Sequence, residues 1–244
     1  MRHPEIVICS PVRTGIGAFG GALKDTPATS LGAAVIRETL RRSGLSGDRV
    51  DTVVMGQVIQ AGARMNPARQ AAIAGGLPVG VPALTVNRVC GSGAQAIASA
   101  AMEIMAGYAS AVIAGGMENM TLAPYLLPKA RDGFRIGHQQ VIDSMITDGL
   151  WDPYNNIHMG NCAEQCATKY KFTREQQDAY AIESFKRANA AQKDGKFAAE
   201  ITPFEMTDAK GNVTTVDKTW GYVRDGEGRL RIVLHHSSLP HKDN

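Results

Sequence analysis

The sequence predicts an α/β protein, with a sheet covered on both faces in its first half and a mostly helical module after it. Three observations predict this. Apolar, β-branched runs alternate with helical stretches through residues 1–118. Those runs are largely apolar along their length, which suits strands buried on both faces beneath crossover helices. Past Gly116 the rhythm stops, and Pro124, Pro128, Gly133 and Gly137 punctuate an irregular stretch.

Glu5-Ile6-Val7-Ile8-Cys9 reads as the first strand, followed by a glycine-rich loop. Gly15, Gly17, Gly20 and Gly21 lack the spacing of a dinucleotide loop before a helix, so no such site is indicated. Ser30 is placed to cap a helix from Leu31 to Arg42, ended by Ser43-Gly44. Val50 to Met55 reads as a strand. Asn66-Pro67 opens a helix with proline at its first position, closed by Gly75-Gly76. Val79 to Val86 is a strand, Ala94 to Met105 a helix closed by Gly107, and Ala109 to Ala114 a further strand.

In the second module Gln139 to Thr147 and Asn161 to Tyr170 read as helices. Thr173 and Gln176 have capping-box spacing for a longer helix, whose apolar face carries Ala181, Ile182, Phe185 and Ala188 and which ends at Gly195. Glu200 to Met206 and Val213 to Val216 read as short strands. The tail yields no element, and His235, His236 and His241 read as part of a solvated end. The domains expected are thus 1–118, 119–217 and a divergent tail, 218–244.

The composition narrows the function. The net charge is +3, the aromatic fraction is 6%, and no Lys/Arg block stands out among the 244 residues, so nucleic-acid binding has little support. No run reaches membrane-spanning length. Met1 to Pro4 leads straight into the first strand-like run, with no targeting segment expected, so the expected compartment is the cytoplasm. The four cysteines form no CxxC pair, and reduced thiols fit better than a disulfide framework. Cys162 and Cys166 share a helix face; they read as two small buried residues rather than metal ligands, since no second pair completes a site.

Cys90 carries the chemistry. It lies in Asn87-Arg88-Val89-Cys90-Gly91-Ser92-Gly93, between an apolar strand and a helix. A helix N-terminus offers unpaired N–H groups and the positive end of the helix dipole, which favour a thiolate. Gly91 and Gly93 clear side chains from either side of the sulfur. A nucleophilic cysteine needs this combination; a small buried residue at a tight turn is the other reading.

This segment, continued by Ala94-Gln95-Ala96-Ile97, resembles the nucleophile segment of thiolases, most of all the biosynthetic acetyl-CoA acetyltransferases. Pro11-Val12-Arg13-Thr14, Asn66-Pro67-Ala68-Arg69-Gln70, Ala114-Gly115-Gly116-Met117-Glu118-Asn119-Met120 and His158-Met159-Gly160 follow in the family's order, covering residues 5 to about 217. The resemblance implies a thiolase-like fold: an α/β/α layered mixed sheet with an inserted, mostly helical loop domain. It implies a reversible Claisen condensation of two acetyl-CoA to acetoacetyl-CoA and coenzyme A, through an acetyl-Cys90 thioester. Coenzyme A is there a substrate, and no separate cofactor or metal is implied. His158 matches the position along the pantetheine, Met159 lines the acyl pocket, Leu150 stands as an apolar wall, and Arg224 matches an arginine near the nucleotide. Homodimers or homotetramers are implied, and Pro124 to Gly137 corresponds to the family's assembly loop.

The resemblance also implies what the chain lacks. Thiolases continue into a second α/β half with a Gly-His-Pro motif and a Cys-x-Gly-Gly motif. Neither occurs here: His3 precedes Pro4 but follows Arg2, and Cys90 is followed by Gly-Ser-Gly. The C-terminal thiolase half is therefore absent, and turnover by this chain alone is expected to be impaired. A non-catalytic coenzyme A-binding or interaction module is the alternative. A ketoacyl-synthase-like relative shares fold and cysteine but not the His-Met-Gly module.

Overall fold

Val53, Val54 and Met55 are the most buried consecutive residues of the chain, and the first half is built around the strand that holds them. The structure, a computed structural model, describes residues 5–207, 212–216, 223–224 and 230–231, the last two pairs as backbone only. Strand β1 (Thr52–Gly56) is the centre of a parallel sheet, between β2 (Ala83–Val86) and β3 (Val112–Gly116), in the order β2-β1-β3. Val53 pairs with Ala83 on one side and Ile113 on the other, and Gly56 with Val86 and Gly116. All three strands end together, so the loops after them share one edge of the sheet, where ligands of open α/β sheets bind.

Helices cover both faces. Val53 and Met55 join one core with Ala28 and Ile36 of α1 (Ala28–Ser43) and with Ala68, Ala71 and Ala72 of α2 (Pro67–Ala74). Val54 and Gly56 face the other way, toward α3 (Ser92–Met105). Local signals set the helix ends. The Asn66 side chain accepts the Arg69 N–H at 3.2 Å, with Pro67 at the first helical position. Gly44 closes α1 at φ 66° and returns its N–H to Leu40 O. Ser30 is not the cap expected of it: α1 starts earlier, and the Ser30 N–H already donates to the carbonyl of Pro27, the residue at the cap position.

Glu5 to Cys9 forms no strand. Residues 5–12 run irregularly, with Val7 and Ile8 exposed. Ile6 to Ile16 and Val112 to Gly116 both line a cavity of about 950 Å³. The strand-like composition is local, but a strand needs a distant partner, and residues 5–9 pair with no strand among the described residues. Its first bridge comes at Arg13, which exchanges backbone hydrogen bonds with Glu200 and Thr202 at 2.8 Å each, supported by Arg13 Nε to Glu200 Oε1 at 2.6 Å.

The described residues form two compact units, one up to Leu122 together with the residues from Glu200 onward, the other Ala123–Ala199. Residues 200–216, grouped by sequence with the second module, thus belong to the first unit. There β8 (Phe204–Thr207) and β9 (Val213–Val216) lie in the two stretches expected as short strands, and they pair antiparallel.

The second unit is built from small pieces. Strands β4 (Tyr125–Leu126) and β5 (Ile142–Asp143) pair, as do β6 (Trp151–Asp152) and β7 (Ile157–His158). The helix expected over Gln139 to Thr147 is replaced by β5 and a π-helical turn, Met145–Leu150. Competing bonds explain it: Asp143 Oδ1 takes the Met145 N–H, and Ser144 Oγ donates to the distant Pro124 O at 2.5 Å. Helix α4 (Met159–Tyr170) follows, then α5 (Arg174–Lys193), whose Thr173–Gln176 capping box is formed in both directions. On α5, Ala181, Phe185 and Ala188 are half-buried, but Ile182 is exposed. In the tail, where no element was expected, the backbone pairs β10 (Val223–Arg224) with β11 (Leu230–Arg231). The tail histidines lie outside the described residues.

Candidate active site

Cys90 stands two residues before the first residue of α3, with Gly91 at the cap position. Its side chain is exposed, which removes the buried-residue reading. The turn is tight. Val89 has φ 48°, a left-handed conformation that a β-branched residue rarely adopts. Both of its backbone groups are held: Asn87 Oδ1 accepts its N–H at 2.9 Å, and Ser92 Oγ donates to its carbonyl at 2.6 Å. Ser92 Oγ also accepts the Arg88 N–H at 2.8 Å. The Arg88 guanidinium donates to Gln95 Oε1 on the first turn of α3.

Close backbone approach sets the start of α3 on β1. A Cβ at Gly56 would lie 2.5 Å from Ser92 C and 2.8 Å from Gly93 N, so only glycine fits there. At Gly93 the direction of an added Cβ is open, with nothing within 4 Å. An exposed thiol at a helix N-terminus is able to attack an electrophilic carbonyl.

In the second unit, the three residues assigned there by sequence come together on one hairpin. Trp151 pairs with His158, and Leu150 and Met159 are the next residues along the two arms. His158 and Leu150 are half-buried, and Met159 is exposed. His158 caps α4: its Nδ1 accepts the Gly160 N–H at 2.9 Å, which leaves Nε2 to carry the ring N–H. The hairpin is braced by Trp151 Nε1 donating to Asn156 Oδ1 at 3.1 Å and by Asp152, whose oxygens accept from Tyr154 and Asn155. Those bonds, first the Asn155 side chain, hold the Asp152 carboxyl below its ordinary value. The backbone of Arg224 lies on β10, but its side chain lies outside the described residues. Cys162 is half-buried and Cys166 exposed, so neither is the small core residue expected; among the described residues no group of His, Cys, Asp or Glu is arranged to hold a metal ion. No helix among them is long and apolar enough to cross a membrane.

Sequence reasoning missed the support of the Cys90 turn. Glu118 Oε2, two residues past β3, accepts the N–H groups of Val58 at 2.7 Å and Ile59 at 3.2 Å. Burial pushes this carboxyl above its ordinary value, opposed by hydrogen bonds from Val58, Ile59 and Asn119. Buried Gln57 donates Nε2–H to Ile59 O at 3.0 Å, while its Oε1 has no partner among the described residues. The signal was the position of Glu118: an acid just past the glycines that end an apolar strand faces the neighbouring strand ends.

A family model described as the N-terminal domain of thiolase matches residues 6–224. An acetyl-CoA acetyltransferase of Cupriavidus necator is 52% identical over 222 residues, covering 91% of this chain and 56% of that protein. One from Pseudomonas aeruginosa is 53% identical over 207 residues, 85% of this chain and 53% of the relative. A probable acetyl-CoA acyltransferase of Staphylococcus aureus is 47% identical over 217 residues, 89% and 55% of the two lengths. The chain spans about half the length of the curated relatives it matches. By the extent of the family match and its place at the start of an α/β sheet domain, the chain belongs to the thiolase family, as its N-terminal domain.

Proposed function

We propose that this chain carries the acyl-accepting half of a thiolase-type acyltransferase, with Cys90 as nucleophile. The observation that carries the reading is the exposed Cys90 thiol at the N-terminus of α3. The Cys90 sulfur attacks the thioester carbonyl of acetyl-CoA, the bond from that carbon to the coenzyme A sulfur breaks, and coenzyme A leaves as a thiolate that takes up a proton. The Cys90 backbone N–H would stabilise the intermediate oxyanion, since those of Val89, Gly91 and Ser92 are held by Asn87 Oδ1, Arg88 O and Val89 O. In the full reaction a second acetyl-CoA, deprotonated at its methyl carbon, displaces Cys90 to give acetoacetyl-CoA; thiolysis is the reverse.

The second unit, residues 123–199, would hold coenzyme A, with His158 along the pantetheine, Met159 lining the acyl pocket and Leu150 as an apolar wall, and Arg224, outside that unit, would lie near the nucleotide. The shared hairpin of the first three supports that grouping. The carbanion step has no proton acceptor of the family's kind in this sequence, which carries neither Gly-His-Pro nor Cys-x-Gly-Gly. The same fact favours a second reading, a coenzyme A-binding module without turnover. A cytoplasmic homodimer or homotetramer completes the first reading and rests on family membership alone.

The test is incubation of the purified chain with acetyl-CoA and mapping of acetylated peptides by mass spectrometry. Acetyl on Cys90, absent from Cys90→Ser, is the expected result. A folded chain whose Cys90 stays unmodified sinks the enzymatic reading.

A further inference from the structure

We propose that Glu118 is a positioning residue for Cys90, acting through the strand-exit loop at Val58 and through Asn87. The proposal rests on the reading of Cys90 as the nucleophile. Strands β3, β1 and β2 end side by side at Gly116, Gly56 and Val86. The loop after each reaches to the next. Glu118, beyond β3, grips the Val58 and Ile59 N–H groups beyond β1 with a single oxygen, at 2.7 and 3.2 Å. Val58 in turn presents its carbonyl to Asn87, beyond β2, whose Nδ2 donates to it at 3.3 Å. The other end of the same Asn87 amide accepts the Val89 N–H at 2.9 Å.

This relay ends on the strained residue. A β-branched side chain at φ 48° is strained, and such a conformation persists only where its surroundings over-determine it. Ser92 supplies one constraint, on the Val89 carbonyl. Asn87 supplies the other, and Asn87 is fixed only as far as Val58 is. Without the Glu118 oxygen, the backbone N–H groups of half-buried Val58 and buried Ile59 lose their acceptor, the loop after β1 shifts, and Asn87 loses its anchor. Val89 then relaxes to negative φ, and Cys90 leaves its place at the helix N-terminus. The carboxylate never touches the thiol; it sets where the thiol stands.

Alkylation by iodoacetamide tests this without coenzyme A. The rate at Cys90 is measured by peptide mass spectrometry against exposed Cys166 in the same sample. Glu118→Ala is expected to lower the Cys90 to Cys166 rate ratio about tenfold. Glu118→Gln keeps an oxygen for Val58 and Ile59 and is expected to restore it to within about threefold. Asn87→Asp keeps the acceptor for Val89 but loses the donor to Val58 O, so it is expected to lower the ratio without changing the thermal midpoint. A ratio unchanged in Glu118→Ala overturns the proposal. Should that variant fail to fold, an unchanged ratio in Asn87→Asp overturns it instead. If wild-type Cys90 is not acetylated by acetyl-CoA while the variants slow alkylation, the enzymatic reading fails and the positioning relay stands.

Discussion

Gly56 is the residue on which the nucleophile turn rests. The atoms a Cβ would strike there, Ser92 C at 2.5 Å and Gly93 N at 2.8 Å, are backbone, so no flexible side chain can swing clear. Gly56→Ala is therefore expected to push the start of α3 off β1, costing about 1–3 kcal/mol of stability by urea denaturation. Alkylation of Cys90 is expected to slow with it. A variant as stable as wild type, with Cys90 equally reactive, would show that α3 is not seated on this contact. At this scale the candidate nucleophile was singled out by its local sequence and its support was not. Cys90 is announced by strand, turn and helix within a dozen residues. Glu118 works through an amide pair 59 and 60 positions away, and nothing in its own neighbourhood says which N–H groups it will meet.

At the scale of elements, the legible features were those whose partners sit within one turn. Asn66 and Pro67 at the start of α2, and Thr173 with Gln176 at the start of α5, are closed circuits of local hydrogen bonds. Helix α1 carries another. Glu38 takes Arg41 Nε and Nη2 at 2.7 Å each and Arg42 Nε at 2.6 Å. The Arg41 bond foremost, then Arg42, holds its carboxyl at about 2 rather than 4.5. The folded-state value lies below the unfolded one, so the stabilisation is complete above pH 4.5 and is lost as pH falls toward 2. Glu38→Gln is expected to be less stable than wild type by about 0.5–1 kcal/mol at pH 7. The gap should close between pH 4.5 and pH 2 in denaturant titrations; a gap that holds constant across that range would mean the carboxylate charge contributes nothing. The element misread, Gln139 to Thr147, fails for the converse reason: Ser144 is committed to Pro124, twenty residues back, and helical composition could not show it.

For the whole molecule, the sequence pattern was sufficient where apolar strands and helices alternate, because the core of β1, α1 and α2 collects residues that are apolar whatever their partners. It was insufficient at Glu5 to Cys9, where a strand-like run meets a cavity instead of a ladder. The two units also differ in how they are buried. Val53, Val54 and Met55 are at most 1% exposed, whereas in residues 123–199 only Ser144 is buried, and α4 and α5 bury none of their residues. Local opening follows buried contact, so amide hydrogen exchange is expected to be slowest in β1 and faster by about a hundredfold or more in α5. The capping box delays fraying at the start of α5 without changing that order. Protection in α5 equal to that in β1 would mean that this unit is covered in solution by a surface its own residues do not supply. Dilution separates the two sources: protection that falls on dilution comes from another copy of the chain, and protection that persists comes from within it.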